Sequence, residues 1–116
     1  LACRSALAVL EIFEKENILK QNQTLSNKIQ NAFKWVDSDP RLTNFRSKGM
    51  MFAFDVSAGF EDTHFPRKVF QEACKHELLL RPIGQTVYFV PPYVINDAEI
   101  SHLVMATKDT LNGVLK

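Results

Sequence analysis

The period of the hydrophobic pattern changes along this chain, and the change restricts the fold more than any other sequence feature. Two early segments have apolar residues at helical spacing, which predicts helices with one apolar face: Ala2, Ala6, Val9, Leu10 and Phe13, then Leu25, Ile29, Ala32, Phe33 and Val36. Further on, larger apolar residues occupy every second position from Met50 to Val56. That period predicts a strand with one apolar face. The chain therefore combines helices and a sheet.

The rest of the chain continues this mixture. A short strand is expected at residues 42–45, and a helix after Thr63 with Pro66 in its first turn. The inner side of that helix is expected to carry Val69, Phe70, Ala73 and Cys74.

Two more strands and a helix are expected towards the end of the chain. Residues 78–83 and 86–90 flank a Gly84-Gln85 turn and predict a hairpin. Asn96 and Glu99 have the spacing of a capping box and predict the start of a last helix. The order helix, two strands, helix, two strands, helix is an α+β fold, a small sheet of about four strands covered by helices on one face.

Composition narrows the possible partners. A chain of 116 residues is the size of one domain, and its formal charge of +1 creates no field that favours nucleic acid or an anionic membrane surface. No apolar run approaches the roughly 20 residues needed to span a bilayer. We therefore expect a cytoplasmic domain with no nucleic-acid or membrane partner.

Known catalytic motifs are missing from the sequence. It has no glycine-rich phosphate loop and no G-x-S-x-G nucleophile turn. Its three histidines and two cysteines have no metal-ligand spacing. We therefore predict no metal site, no phosphate-binding loop and no serine-hydrolase site in these 116 residues.

Arg81 is the strongest candidate for a binding residue. It lies within the apolar run Leu78 to Ile83, where Pro82 favours an extended backbone and Gly84 permits close approach of a ligand. A guanidinium binds a carboxylate through two parallel hydrogen bonds. Two interpretations remain open: a ligand carboxylate binds here, or the side chain extends into water or pairs with a local carboxylate such as Asp55.

Tyr88 and Tyr93 flank the rigid run Phe89-Val90-Pro91-Pro92. Aromatic walls of this kind occur beside small-molecule pockets, but they also occur in protein cores. Both interpretations stay open for the two tyrosines.

Residues 80–95, Leu-Arg-Pro-Ile-Gly-Gln-Thr-Val-Tyr-Phe-Val-Pro-Pro-Tyr-Val-Ile, carry a family resemblance. This run closely resembles the C-terminal part of class III, pyridoxal-phosphate-dependent aminotransferases, and most of all their biotin-pathway branch. Leu1-Ala2-Cys3 with the following helix and Arg46-Ser47-Lys48-Gly49-Met50 are also similar to segments of the family. The resemblance runs along the whole chain.

The resemblance implies the C-terminal small domain of a fold-type I homodimeric transaminase, which closes over the substrate. It implies that Arg81 binds the carboxylate of the amino-acceptor keto acid, 8-amino-7-oxononanoate, that Tyr88 lines the substrate pocket, and that S-adenosylmethionine is the amino donor. Pyridoxal 5'-phosphate is implied for the full-length enzyme, with none bound to this fragment. Neither Lys68 nor Lys75 is expected to be catalytic, so the isolated fragment should be inactive.

The first residue is Leu, and all three methionines lie inside the chain. We therefore expect residues 1–116 to be a fragment whose cofactor-binding large domain is absent. Two alternatives remain: the small domain of another class III aminotransferase, or a free-standing α+β ligand-binding module.

Overall fold

A computed structural model describes residues 1–57, 59–60 and 62–116. It contains four α-helices, three strands and a short 3₁₀ helix at Lys34–Ser38. In chain order the other elements are α1 (Ala2–Lys15), α2 (Ile18–Ala32), β1 (Leu42–Lys48), β2 (Met51–Val56), α3 (Phe65–Lys75), β3 (Thr86–Phe89) and α4 (Asp97–Val114). The α+β prediction is confirmed.

The sheet is antiparallel, with the strand order β1-β2-β3. β1 contains a bulge between Thr43 and Arg46, where Asn44 adopts a positive φ of 55°. Asn tolerates this conformation better than most residues because its short polar side chain bonds locally. Here the Asn44 amide donates to Asp55 on β2 at 2.7 Å.

The alternation predicted for β2 decides which sheet face is covered. Phe52 and Phe54 are buried, whereas Met51 is exposed. β3 continues the pattern, since Phe89 is buried and its neighbour Tyr88 is partly exposed. The sheet therefore has one covered face and one open face, as an antiparallel sheet allows.

Aromatic side chains form the centre of the core. Phe33, at the end of α2, is fully buried, and its ring centre lies 4.6 Å from that of Phe89 and 6.1 Å from that of Trp35. Phe52 stacks on Phe89 with 5.3 Å between ring centres. These contacts join α2 to β2 and β3.

The start of α4 agrees with its prediction. The Asn96 side chain accepts a hydrogen bond from the Glu99 backbone N–H at 3.0 Å, and the Glu99 carboxylate accepts one from the Asn96 N–H at 2.8 Å. This reciprocal pair is the predicted capping box.

The start of α3 differs from its prediction, because the N-cap is His64 rather than Thr63. Asp62 holds this turn instead, since its carboxylate accepts the His64 backbone N–H at 2.7 Å. Cys74, expected on the inner side, is exposed. The buried stripe of α3 consists of Phe65, Val69 and Ala73, one residue in every four, so Cys74 lies beyond its edge.

The strand predicted at residues 78–83 is absent from the described structure, and the sheet has three strands instead of about four. Only Ile83 bridges to Thr86, across the turn that contains Gly84. Pro82 has no N–H to donate to a ladder, and Leu80 is buried in the core. The segment is therefore irregular chain as far as the bridge at Ile83.

Helix α1 contributes no buried residue to the described structure. Its predicted apolar face carries Val9 and Leu10, which are 49% and 61% exposed. α1 thus has the predicted apolar stripe, and that stripe is largely exposed in the described structure.

Candidate functional site

An apolar cleft of about 420 Å³ lies between the irregular segment before β3 and the chain that follows β3. It is lined by residues 78–81 and 88–92, with Ile95, Glu99, His102 and Leu103 closing it from α4 and the turn before it. Arg81 and Tyr88 both line this cleft. The structure therefore brings together the two side chains that the resemblance implied for substrate binding.

The turn after α3 determines where Arg81 lies. Glu77 follows the helix with a positive φ of 56°, and the Leu78 N–H donates to the Ala73 carbonyl at 3.0 Å. This bond, with a second one from Glu77 N–H to the Cys74 carbonyl at 3.3 Å, forms a Schellman turn that ends the helix and reverses the chain. The residues after Leu78 are therefore directed back along α3.

Arg81 is held between two buried residues, Leu80 and Pro82, and is itself exposed. Its guanidinium carbon lies 5.6 Å from the ring centre of Phe70 on α3. Within the described residues its N–H groups donate no hydrogen bond and form no ion pair. They remain available to a ligand.

Pairing of Arg81 with Asp55 is excluded by the neighbours of Asp55. That carboxylate accepts hydrogen bonds from Arg46 at 2.9 and 3.0 Å, from Asn44 at 2.7 Å and from the Thr86 hydroxyl at 2.7 Å. Burial alone would raise the pKa of Asp55, but the hydrogen bonds from Arg46, Thr86 and Asn44 outweigh burial and hold the pKa below its ordinary value. Asp55 is a charged and satisfied group on the open sheet face.

Tyr88 and Tyr93 have different positions. Tyr88 is 38% exposed and separates the Arg81 cleft from a second cleft of about 500 Å³ on the open sheet face, near Arg46 and Met51. Tyr93 lies away from Arg81 and packs edge-on against Phe13 of α1, with 6.2 Å between ring centres. Neither tyrosine belongs to the core, so the core interpretation is wrong for both.

Three residues lie in or beside the cleft although the sequence gives no reason to place them there. Glu99 and His102 reach it from the first turns of α4, and Phe70 lies behind Arg81 on α3. These residues come close to Arg81 because of the way α3, α4 and the irregular segment pack together. Their spacing in the sequence does not indicate that packing.

The lysines offer no desolvated amine. All nine are exposed, and Lys68 and Lys75 form ion pairs with Asp62 and Glu72. The hydrogen bond from Lys75 is the main reason that the pKa of Glu72 lies below its ordinary value. A Schiff-base lysine needs a desolvated or otherwise activated amine, and none of these nine has that environment.

Two further findings concern metals and membranes. Within residues 1–57, 59–60 and 62–116, no three acidic, histidine or cysteine side chains cluster in a way that could hold a metal ion. None of the helices described is both long and apolar enough to cross a membrane.

Comparisons with known proteins agree with this architecture. The chain is 38% identical over its whole length to adenosylmethionine-8-amino-7-oxononanoate aminotransferase of Helicobacter pylori, of which it covers 27%. Its fold matches an (S)-enantioselective omega-transaminase from Thermomicrobium roseum with a TM-score of 0.87 and 21% identity, covering 99% of this chain and 27% of that one.

An amine transaminase from an uncultivated Pseudomonas species, whose structure is in the pyridoxal-phosphate-bound internal aldimine form, has a TM-score of 0.81 and 25% identity. The match covers 97% of this chain and 27% of that one. The chain thus spans about a quarter of the length of the relatives that it matches. The family model "Aminotransferase class-III" matches residues 1–111. The chain belongs to the class III aminotransferase family.

Proposed function

We propose that this chain is the small, substrate-facing domain of a pyridoxal-phosphate-dependent transaminase and that Arg81 binds the carboxylate of the amino-acceptor keto acid. The observation that carries the proposal is the state of Arg81. Arg81 lines an apolar cleft, and its guanidinium has no carboxylate partner among the described residues. A ligand carboxylate would satisfy the donors, and the apolar lining would suit the hydrocarbon part of the same ligand.

The substrate that we propose is 8-amino-7-oxononanoate, with S-adenosylmethionine as amino donor. Support comes from the 38% identity to the Helicobacter pylori enzyme and from the run Arg81-Pro82-Ile83-Gly84 followed by Tyr88. In this proposal Tyr88 forms part of the wall along which the keto acid lies. The product would be 7,8-diaminononanoate, a precursor of biotin.

Pyridoxal phosphate is the cofactor of this family and supplies the electron sink of transamination. The residues described here do not fit a site for it, since every lysine is exposed. The proposal therefore assigns the cofactor to a large domain outside these 116 residues, in a homodimeric enzyme. The role of this chain is to orient the substrate, so we expect the 116-residue chain alone to be inactive.

The orienting role has a predictable magnitude. Hydrogen bonds to charged groups contribute about 1.5 to 3 kcal/mol. Since about 1.4 kcal/mol corresponds to a factor of ten in an equilibrium constant, loss of the Arg81 contact should weaken keto-acid binding by about tenfold to a hundredfold.

The test is steady-state kinetics of the full-length enzyme with Arg81→Ala, Arg81→Lys and the control Arg67→Ala. Arg67 is an exposed arginine on α3 that does not line the cleft. We expect Arg81→Ala to raise the KM for the keto acid by about tenfold to a hundredfold with little effect on the KM for the donor. Arg81→Lys should recover only part of the loss, because an ammonium group lacks the planar fork.

Equal effects of Arg81→Ala on both substrates would refute the assignment. An effect of Arg67→Ala as large as that of Arg81→Ala would refute it too, because general loss of positive charge would then explain the result.

A further inference from the structure

Arg81 differs from Arg41 and Arg46 in what holds its guanidinium. Arg41 is fixed by the Asp39 carboxylate through bonds of 2.9 and 2.7 Å, and Arg46 is fixed by Asp55. Arg81 instead lies over the ring of Phe70, at 5.6 Å from its centre. An aromatic face attracts a guanidinium without taking up its N–H donors at the edge of the plane.

Phe70 is well placed to be such a support. It is half-buried at the border of the buried stripe of α3, and it does not line the Arg81 cleft. The Schellman turn at Glu77 directs the chain back along the same helix, and buried Leu80 fixes the backbone next to Arg81. Arg81 and Phe70 are therefore brought together by two separate anchors, the turn and the core.

We propose that Phe70 is a positioning residue that holds the Arg81 guanidinium ready for a bidentate carboxylate. This inference rests on the proposed function, because it specifies how the same site binds the keto acid. A long arginine side chain loses rotamer freedom when it binds, and a ring that restrains the guanidinium beforehand reduces that loss. Phe70 itself touches neither substrate nor reacting atoms in this proposal.

The expected effect is small but specific. Cation–π contacts at exposed to partly covered sites correspond to about a two- to fivefold change in an equilibrium constant. Phe70→Leu in the full-length enzyme should therefore raise the KM for the keto acid by about two- to fivefold. The kcat and the KM for the donor should stay within about 1.5-fold of the native values, since the ring does not act in the chemical step.

Two substitutions separate the π face from simple filling of space. Phe70→Tyr keeps the ring and should restore the native KM. Phe70→Met keeps an apolar side chain of similar size without a ring and should raise the keto-acid KM by the same two- to fivefold, so it replaces Phe70→Leu if that variant fails to fold. Phe45→Leu is the matched control. Phe45 is a half-buried phenylalanine on β1, and its ring stacks on that of Phe33 with 6.3 Å between ring centres. The Phe45→Leu substitution should leave the keto-acid KM unchanged.

A double-mutant cycle distinguishes positioning from general packing. In an Arg81→Ala background, Phe70→Leu should have no further effect on the keto-acid KM. The same two- to fivefold effect in both backgrounds, or no effect in the native background, would overturn the role of Phe70 while Arg81 kept its own. If Arg81→Ala itself left the keto-acid KM unchanged, the proposed function would fail first, and this inference with it.

Discussion

Replacing Glu77 with glycine should stabilise the domain, although Glu77 lies in the turn that leads to the candidate site. Glu77 adopts a φ of 56°, the left-handed conformation of a Schellman turn. This conformation costs an L residue about 1 to 2 kcal/mol, because its Cβ crowds the following carbonyl oxygen. The Glu77 side chain is exposed and makes no hydrogen bond or ion pair with the rest of the described chain, so truncating it removes little.

The net gain follows from two opposing contributions. Glycine removes the left-handed cost but loses more conformational freedom on folding, by about 0.5 to 1 kcal/mol relative to alanine. The free energy of unfolding should therefore increase by about 0.5 to 1 kcal/mol. In urea unfolding followed by circular dichroism, the midpoint should rise by roughly 0.3 to 0.7 M.

Two controls make the outcome decisive. Glu77→Ala keeps the Cβ and should leave the midpoint nearly unchanged. Gln71→Gly, at an exposed position inside α3, should instead lower the free energy of unfolding by about 1 kcal/mol. If Glu77→Gly were no more stable than Glu77→Ala, the left-handed backbone at residue 77 would not be the source of the strain.

Two further predictions concern the core and the open sheet face. Phe33→Ala should lower the free energy of unfolding by about 3 to 5 kcal/mol, because the Phe33 ring is fully buried and its centre lies 4.6 Å from that of Phe89. A loss of less than about 1 kcal/mol, measured by urea unfolding, would contradict the assignment of Phe33 to the core. The pKa of Asp55 is below its ordinary value in the folded state, so the stability that this carboxylate contributes is present above about pH 4 and is lost as the pH falls towards its folded pKa. Between pH 2.5 and 5 the urea midpoint of Asp55→Asn should therefore depend less on pH than that of the native chain. Equal pH dependence of the two midpoints would contradict a stabilising role for the Asp55 carboxylate.

Local patterns predicted the elements whose signal lies within a few residues. The alternation from Met50 to Val56 corresponds to β2 at Met51–Val56, and the Asn96/Glu99 spacing corresponds to an observed capping box. In both cases the local pattern agrees with the packing that the rest of the chain imposes.

The prediction of a strand at residues 78–83 was wrong for two reasons. The Schellman turn after α3 uses Glu77 where glycine would mark the end of the helix, so the reversal could not be seen in the sequence. The apolar residues that followed resembled a strand, but Leu80 serves as a core anchor for an irregular segment. A run of apolar residues indicates burial and leaves the backbone conformation open.

The candidate site was predictable only in part. Arg81 stood out because a charged residue in an apolar run needs a partner, and Tyr88 followed from the resemblance. Phe70 could not be paired with Arg81 in advance, since their contact depends on the reversal at Glu77. The approach of Glu99 to the same cleft depends likewise on tertiary packing.

The most direct test of the central claim compares the keto acid with its carboxamide analogue in the full-length enzyme and in Arg81→Ala. If Arg81 binds the carboxylate, the native enzyme should prefer the acid in kcat/KM by about tenfold to a hundredfold. In Arg81→Ala that preference should fall to near one. A preference for the acid that is equally large in both enzymes would contradict the account.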